Sequence, residues 1–315
     1  MGKHLIVGAS GQLGVELMLA LQRKVGPSNV VLADVRPVPH PDASRSTFVA
    51  LDATCEAEVR KVLNDEAVDC VYMLVAMLSA RGEANPLAAW ELNMKSLLVV
   101  LEAAKDGAVK QVFWPSSIAV FGPNAPKNNT PQDAPLEPTT VYGVSKVAGE
   151  LWCSYYHTKY GVDVRSLRYP GLIGFRSLPG GGTTDYAVEA YHRAAAGEPM
   201  VCYLDCHEPL PMMSMEDAIR ATLELMDAPE VHMRTSYNLS GCSFSPQELE
   251  ASIQRVHPSF SMSYDPDHRQ TIAASWPNSI DDSAARMDWG WSPSHGLDGL
   301  TDHMLEGLNE LAQQG

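Results

Sequence analysis

Tyr142 and Lys146 are the residues whose types and spacing point most directly to chemistry. They stand four positions apart within residues 141–160, a segment with helical periodicity, so both side chains lie on one face of a predicted helix. A free tyrosine has a pKa of about 10 and is a poor base at neutral pH. A lysine cation one turn away favours the phenolate, so the pair could accept a proton from a substrate.

Two serines at the end of the fifth predicted strand could hydrogen-bond to the substrate oxygen that the tyrosine deprotonates. Ser117 is the candidate at the strand end, and Ser116 is the competing one. Tyr155 and Lys159 repeat the four-residue spacing on the same predicted helix, 13 residues further on and about 20 Å away along its axis. They point to a different face of the helix, so we interpret them as surface or interface residues.

A glycine-rich turn joins the first predicted strand to the first predicted helix. Glycines permit the tight turn and let the backbone approach a pyrophosphate, and the helix N-terminus offers free N–H groups there. Such turns also arise for packing alone, but the strand–turn–helix context favours a dinucleotide site. Its candidate binding residues are Gly8, Ser10, Gly11, Gln12, Leu13 and Gly14.

Two acidic residues follow the second and third predicted strands. Asp34 lies 20 residues beyond Gly14, where a carboxylate can accept both ribose hydroxyls of an adenosine. It would repel a 2′-phosphate, which favours NAD over NADP, although the nearby Arg36 weakens that preference; the alternative is a solvated strand end. Asp52 could bond the adenine amine or, alternatively, cap the helix that begins near Glu56.

Strands and helices alternate through the first half of the chain, which predicts an α/β fold with a doubly wound parallel sheet of the Rossmann type. We expect residues 1–170 to form the nucleotide-binding domain, with 209–228 returning to it. Residues 171–315 form a smaller, helix-rich substrate lobe. The strands are predicted at residues 4–7, 30–33, 48–51, 68–75, 111–114 and 162–167. The helices are predicted at residues 13–23, 56–65, 87–104, 141–160, 184–196, 215–226, 246–256 and 300–311.

Composition excludes several classes of function. The chain of 315 residues carries 38 acidic and 23 basic residues, a net charge of -15, so nucleic acid and anionic membranes are poor partners. No apolar run approaches the roughly 20 residues that span a bilayer, and we expect a cytoplasmic protein. Six cysteines are scattered and are best explained as buried thiols. Cys202, Cys206 and His207 form the one tight group, but without a second ligand pair, so we predict no metal.

The glycine turn, Ser117, Tyr142 and Lys146 resemble the extended short-chain dehydrogenase/reductase family, which includes UDP-glucose 4-epimerase. The 25-residue spacing from Ser117 to Tyr142 fits that family and selects Ser117 over Ser116. Three further segments resemble the short-chain type of L-threonine 3-dehydrogenase. They are residues 166–172, 179–188 and 276–283, of which the Gly-Gly-Gly-Thr-Thr-Asp-Tyr-Ala stretch in the second is the most specific.

This resemblance implies NAD-dependent, metal-independent oxidation of L-threonine at C3 to 2-amino-3-ketobutyrate. That product loses CO2 or passes to a CoA-dependent lyase that makes glycine. The resemblance places Ser79 and Trp276 at the substrate, Asn93 in support of the active-site helix and Leu172 at the nicotinamide. It adds cofactor contacts at Ala53, Leu74, Ala76 and Tyr169. It also implies a homodimer, to which Trp152, Tyr155 and Tyr156 could contribute, packing within the chain being the alternative.

The glycine-rich segment of the second lobe has a physical interpretation of its own. Three consecutive glycines before a predicted helix expose backbone N–H groups, which would form an anion site sized for one carboxylate. Gly182, Thr183 and Thr184 are therefore predicted substrate contacts, on a loop that could act as a lid or, alternatively, be merely flexible.

Two other functions remain open. One is a sugar-nucleotide epimerase or dehydratase, which keeps its NAD through the cycle, but the second lobe shows no cluster of cations for a diphosphate. The other is an NAD-sensing protein without turnover. The Tyr142–Lys146 pair argues against that reading.

Overall fold

A parallel sheet of eight strands forms the centre of the computed structural model, which describes residues 2–180, 182–229 and 236–314. Its strand order is β11-β7-β5-β4-β1-β2-β3, and β6 also pairs with β7. These strands are β1 Lys3–Val7, β2 Val30–Asp34, β3 Thr47–Ala50, β4 Val68–Met73, β5 Gln111–Phe113, β6 Ser116–Ser117, β7 Asp163–Tyr169 and β11 Ser236–Asn238.

Helices cover both faces of this sheet because side chains alternate along each strand. In β1, Ile6 packs on the face covered by α1 and α7, whereas Leu5 and Val7 pack on the face covered by α2, α4 and α5. The fold class predicted from the sequence is therefore confirmed. The helices of these layers are α1 Gln12–Val25, α2 Glu56–Asp65, α3 Ser79–Ala84, α4 Pro86–Lys105, α5 Val141–Tyr160 and α7 Met215–Asp227.

The second half of the chain builds a smaller lobe around its own apolar core. Two short sheets, β12-β10-β8 and β13-β9, pack there with helices. The chain also returns to the main sheet, since α7 packs on α1 and β11 pairs with β7. The remaining elements are β8 Gly171–Ile173, α6 Tyr186–Ala195, β9 Met200–Cys202, β10 Leu210–Ser214, β12 Cys242–Phe244, α8 Pro246–Gln254, β13 Met262–Tyr264, α9 His268–Ala273, α10 Ser283–Trp289 and α11 Leu297–Gln314.

Every strand and helix predicted from the sequence is present, most with ends shifted by one to three residues. α2 and α5 have the predicted bounds, whereas α6 begins at Tyr186, two residues after the predicted start. The short helices α3, α9 and α10 escaped prediction because six or seven residues carry little periodicity. Among the helices of the described segments, none has the length and apolarity needed to cross a membrane.

Candidate active site

A cavity of about 460 Å³ opens at the carboxyl ends of β1, β4 and β6, where a doubly wound sheet binds its ligands. It brings together the glycine turn, the tyrosine–lysine pair and the second lobe's glycine-rich segment. The predicted residues that line it are Gly8, Ser10, Gly11, Gln12, Leu13, Gly14, Arg36, Leu74, Ala76, Ser79, Ser117, Tyr142, Lys146, Tyr169, Leu172, Gly182, Thr183, Thr184 and Trp276.

The glycine turn is shaped for a close approach of its backbone to a ligand. Gly8 has a φ of +91°, a conformation that favours glycine, and a Cβ on Gly14 would lie 2.4 Å from the Gly8 carbonyl oxygen. The turn ends at Gly11, the N-cap of α1, so the first N–H groups of that helix face the cavity. These features fit the pyrophosphate of a dinucleotide.

Asp34 lies at the end of β2, just outside the cavity wall. Its carboxylate accepts hydrogen bonds from the backbone N–H of Ser10, at 3.0 Å, and of Arg36, at 3.1 Å. It thus holds two residues that line the cavity. Because a carboxylate has about four acceptor positions, two remain for ribose hydroxyls.

Three other residues predicted to contact the cofactor do not line the cavity. Asp52 accepts hydrogen bonds from the N–H and hydroxyl of Thr54, and the N-cap of α2 is Cys55, so the alternative prediction that Asp52 caps this helix is wrong. Ala53 is a buried part of the core under that helix. Asn93, the third of these residues, is buried on α4.

Asn93 is buried and joins the loop after β4 to α5. Its amide accepts from the Met77 N–H at 2.7 Å and donates to Ser145 Oγ at 3.1 Å. The Ser145 hydroxyl in turn donates to the Tyr142 carbonyl at 2.7 Å. Asn93 therefore supports the first turn of the active-site helix, as the resemblance implied, but it does so without lining the cavity.

Tyr142, Lys146 and Ser117 converge at one end of the cavity. Thr140 caps α5 by accepting the Gly143 N–H at 3.1 Å, which places Tyr142 in the first helical turn. The Lys146 ammonium lies 5.4 Å from the centre of the Tyr142 ring and donates to the Pro115 carbonyl at 2.5 Å. The positive end of the helix dipole at this position also favours a phenolate.

Burial sets the protonation of both groups. Desolvation raises the pKa of Tyr142 to about 12, and the Ser117 hydroxyl beside it acts in the opposite direction. Desolvation also lowers the pKa of Lys146 to about 7. The sequence predicted a lowered pKa for this tyrosine, which is wrong. Burial of the phenolate raises the pKa by more than the Ser117 hydroxyl lowers it.

A buried ion pair behind Lys146 was not predicted from the sequence. Arg168 forms two hydrogen bonds with the Glu150 carboxylate, at 2.8 and 2.7 Å, and both side chains are at least nine-tenths buried. The Ser116 hydroxyl donates to the same carboxylate at 2.6 Å. Ser116 is thereby committed to Glu150, which leaves Ser117 as the serine beside Tyr142.

In the glycine-rich segment of the second lobe, a carboxylate of the protein itself already accepts hydrogen bonds from the backbone N–H groups. Oδ2 of Asp185 accepts hydrogen bonds from the backbone N–H of Gly180, at 2.6 Å, and of Gly182, at 2.9 Å. The prediction that these amides are free for a substrate carboxylate is therefore wrong; Gly181, the middle glycine, lies outside the described residues. Gln12 ties this segment to the glycine turn by donating to the Leu178 carbonyl at 2.8 Å.

A buried hydroxyl remains free in the same segment. Thr183 is 1% exposed and lines the cavity, yet its Oγ1 has no hydrogen-bond partner among the residues that the structure describes. Buried polar groups are nearly always paired, so this hydroxyl marks a place where a polar ligand group fits. Ser79 and Trp276, for which the resemblance implies substrate contacts, are also buried and line the same cavity.

Tyr155 and Lys159, the second tyrosine–lysine pair, lie at the far end of α5 and outside the cavity. The Lys159 ammonium donates to the Tyr155 hydroxyl at 2.6 Å and lowers its pKa. Trp152 and Tyr155 are exposed, whereas Tyr156 is buried and donates to Glu102. The expectation that Tyr156 contributes to a subunit contact is therefore wrong, since it packs within the chain.

Comparison with known proteins identifies the family. Residues 4–240 match the model of the NAD dependent epimerase/dehydratase family. The chain belongs to this family. An uncharacterized epimerase/dehydratase of Staphylococcus haemolyticus is 43% identical to it over 99% of each chain. The match extends well beyond the glycine turn, so the resemblance to extended short-chain dehydrogenases is confirmed.

Two solved structures of this family are similar over nearly the whole length. The holo form of a GalE-like L-threonine dehydrogenase from Cupriavidus necator is 52% identical, with 97% of this chain and 99% of that chain covered and a TM-score of 0.95. The L-threonine dehydrogenase from Clostridium difficile is 43% identical, with 99% and 98% covered and a TM-score of 0.95. An NAD(H)-type cofactor and oxidoreductase-type chemistry follow from the family, and the cavity residues fit such a cofactor.

Proposed function

We propose that this protein oxidises L-threonine at C3 to 2-amino-3-ketobutyrate with NAD. The observation that carries this proposal is the unpartnered Thr183 hydroxyl, which lines the same cavity as Tyr142 and Ser117. A small substrate with a polar group at one end and a secondary hydroxyl at the other matches that arrangement. The names of the solved relatives from two bacteria support the same substrate.

The chain's own residues handle the proton and the substrate. The Tyr142 phenolate takes the proton of the C3 hydroxyl, and the Ser117 hydroxyl orients that oxygen. Lys146, when charged, stabilises the phenolate; its ammonium lies 5.4 Å from the centre of the Tyr142 ring. Bound NAD would supply the oxidant by taking up a hydride from C3. Asp34 favours NAD over NADP because its carboxylate would repel a 2′-phosphate.

The pKa values of Lys146 and Tyr142, about 7 and about 12, predict an unusual pH profile for kcat/KM. The active form needs a phenolate and a charged lysine together. Below pH 7 the lysine is charged, so activity rises about tenfold per pH unit as more phenolate forms. Above pH 7 the loss of lysine charge offsets that gain, and the profile becomes level.

The control for this profile is Lys146→Met. Without a titrating lysine, the rate should be low but should keep rising with pH beyond 7. A wild-type profile that keeps rising above pH 8, or a variant with the same plateau as the wild type, would contradict the assignment.

Thr183→Val should raise the KM for L-threonine by about 10-fold or more while leaving the Kd for NAD unchanged. Valine fills the same volume, so the change removes one hydrogen bond to a charged or polar substrate group. Thr183→Ser keeps the hydroxyl and serves as the matched control. Steady-state kinetics with fluorescence titration of NADH measures both constants. An unchanged KM in the valine variant would show that the Thr183 hydroxyl does not contact the substrate.

A sugar-nucleotide epimerase is the second candidate because the chain belongs to the NAD dependent epimerase/dehydratase family. An epimerase would retain tightly bound NAD through purification, whereas a dehydrogenase releases NADH at each turnover. Extraction of the purified protein and measurement of its NAD content distinguishes the two. Stoichiometric bound NAD without net NADH formation would favour the epimerase.

We also propose that the protein forms a homodimer through α4 and α5. These two helices pack on each other and expose apolar side chains, among them Leu87, Trp90, Leu151 and Trp152. Leu151→Glu should convert the dimer to a monomer, as seen by sedimentation, because a charge at the centre of an apolar contact is costly. Val201→Glu, which changes an equally exposed valine on β9, is the control. Equal masses for both variants and the wild type would contradict this interface.

A further inference from the structure

Three side chains from separate parts of the second half converge outside the catalytic cavity. Oε2 of Glu216 lies 3.8 Å from Nε2 of His295 and 3.8 Å from Nε2 of His303. The potential ligand atoms of the three residues all lie within 4.8 Å of one another. The two imidazole rings stack at a centroid distance of 5.3 Å, so both present a nitrogen to the same carboxylate.

We propose that Glu216, His295 and His303 bind a divalent transition-metal ion of the zinc class. Two imidazoles and one carboxylate are a donor set that suits Zn²⁺, whereas hard cations such as Mg²⁺ prefer oxygen ligands. Ligand atoms around a tetrahedral Zn²⁺ stand about 3.3 Å apart. The two carboxylate–imidazole separations of 3.8 Å therefore close with shifts of a fraction of an ångström, and the separation of the two imidazole nitrogens, at most 4.8 Å, closes with a rotation of the side chains.

The carboxylate is available for this role. Glu216 is in the first turn of α7, and its ion pairs within the described residues are those with the two histidines. Arg220, the cation one turn further along α7, is engaged by Asp217 and Glu224. No described cation therefore neutralises Glu216 in competition with a metal ion.

The proposed metal site lies beside two cavities of the protein. His303 and Glu216 line a cavity of about 640 Å³, toward which a fourth coordination position could open. Phe175 packs edge-on against the His303 ring at 5.5 Å and lies just before the glycine-rich segment of the second lobe. Met215, the neighbour of Glu216, lines both this cavity and the catalytic one. A bound ion would join α7 to α11 beside both cavities.

None of the three residues lines the catalytic cavity, and the proton chemistry at Tyr142 does not use them. Sequence spacing does not reveal this cluster, because His295 and His303 are eight residues apart and Glu216 lies 79 residues before His295. The described structure does not bring together the candidate metal ligands that the sequence suggested, which were Cys202, Cys206 and His207.

Calorimetric titration of the full chain with ZnCl2 tests the proposal. The wild type should bind one Zn²⁺ per chain at this site and show no heat with MgCl2. His303→Gln and Glu216→Gln should each weaken that binding by at least about tenfold. His268→Gln, which removes an exposed histidine elsewhere, should bind as the wild type does.

A thermal melt gives a second readout that does not depend on turnover. Zn²⁺ at a hundredfold excess over its Kd should raise Tm by about 5 °C in the wild type and in His268→Gln only. The Tm values without metal check that each variant is folded. Equal Zn²⁺ binding by the wild type, His303→Gln and Glu216→Gln, or no binding by the wild type, would overturn the proposal whatever the enzymatic activity.

Discussion

Replacing Tyr142 by phenylalanine should lower kcat/KM for L-threonine by about 10³-fold while leaving NAD binding nearly intact. The change removes one hydroxyl, and with it the group that accepts the substrate proton, for which typical losses are 10²- to 10⁴-fold. The ring that packs at the start of α5 remains. The Tyr142 phenol lies beside Ser117, whereas the hydroxyl of Tyr169, the other described tyrosine that lines the cavity, is hydrogen-bonded to Thr222 and does not replace it.

The second tyrosine–lysine pair supplies the matched control. Tyr155 lies on the same helix at the same spacing from a lysine and even has a lowered pKa, but it is exposed and outside the cavity. Tyr155→Phe should therefore keep full activity. Stopped-flow or steady-state NADH formation measures both variants, and NADH fluorescence measures cofactor binding. Substantial activity in Tyr142→Phe would contradict the proposed proton transfer to Tyr142.

Removal of the Glu150 carboxylate should cost about 3–5 kcal/mol of unfolding free energy. Glu150→Ala leaves the Arg168 guanidinium buried without its bidentate partner, which is far more costly than the loss of an exposed ion pair. It also frees the Ser116 hydroxyl and opens a gap beneath Lys146. The effect should appear as a lower urea midpoint at an unchanged slope.

Glu198→Ala is the control for this prediction. Glu198 pairs with Arg193 at 2.6 Å, but both side chains are about half exposed, so water replaces the lost contact. The change should stay within about 1 kcal/mol. If Glu150→Ala were as stable as Glu198→Ala, the buried pair would not hold β7 to α5 as described.

The sequence was sufficient where a feature depends on local spacing. The glycine turn, the span of α5 and the first strand each follow from a few neighbouring residues, and the structure has all of them. The fold class followed from these elements because parallel strands with helical crossovers allow few arrangements.

The sequence was insufficient where a feature depends on how distant segments meet. Asp185 falls within the helix predicted at residues 184–196, yet the path of the backbone brings its carboxylate onto the Gly180 and Gly182 amides. The pKa of Tyr142 depends on burial, which the spacing to Lys146 does not report. The Glu150–Arg168 pair forms only once α5 packs on β7.

NADH formation from L-threonine and NAD, followed by absorbance in the presence of EDTA, tests the central claim most directly. Parallel reactions replace L-threonine by D-threonine or L-serine, or NAD by NADP. We predict NADH formation with L-threonine and NAD, little with D-threonine or NADP, and the same rate with and without EDTA. No NADH from a folded protein that carries bound NAD would contradict it and would favour epimerisation of a sugar nucleotide in the same cavity.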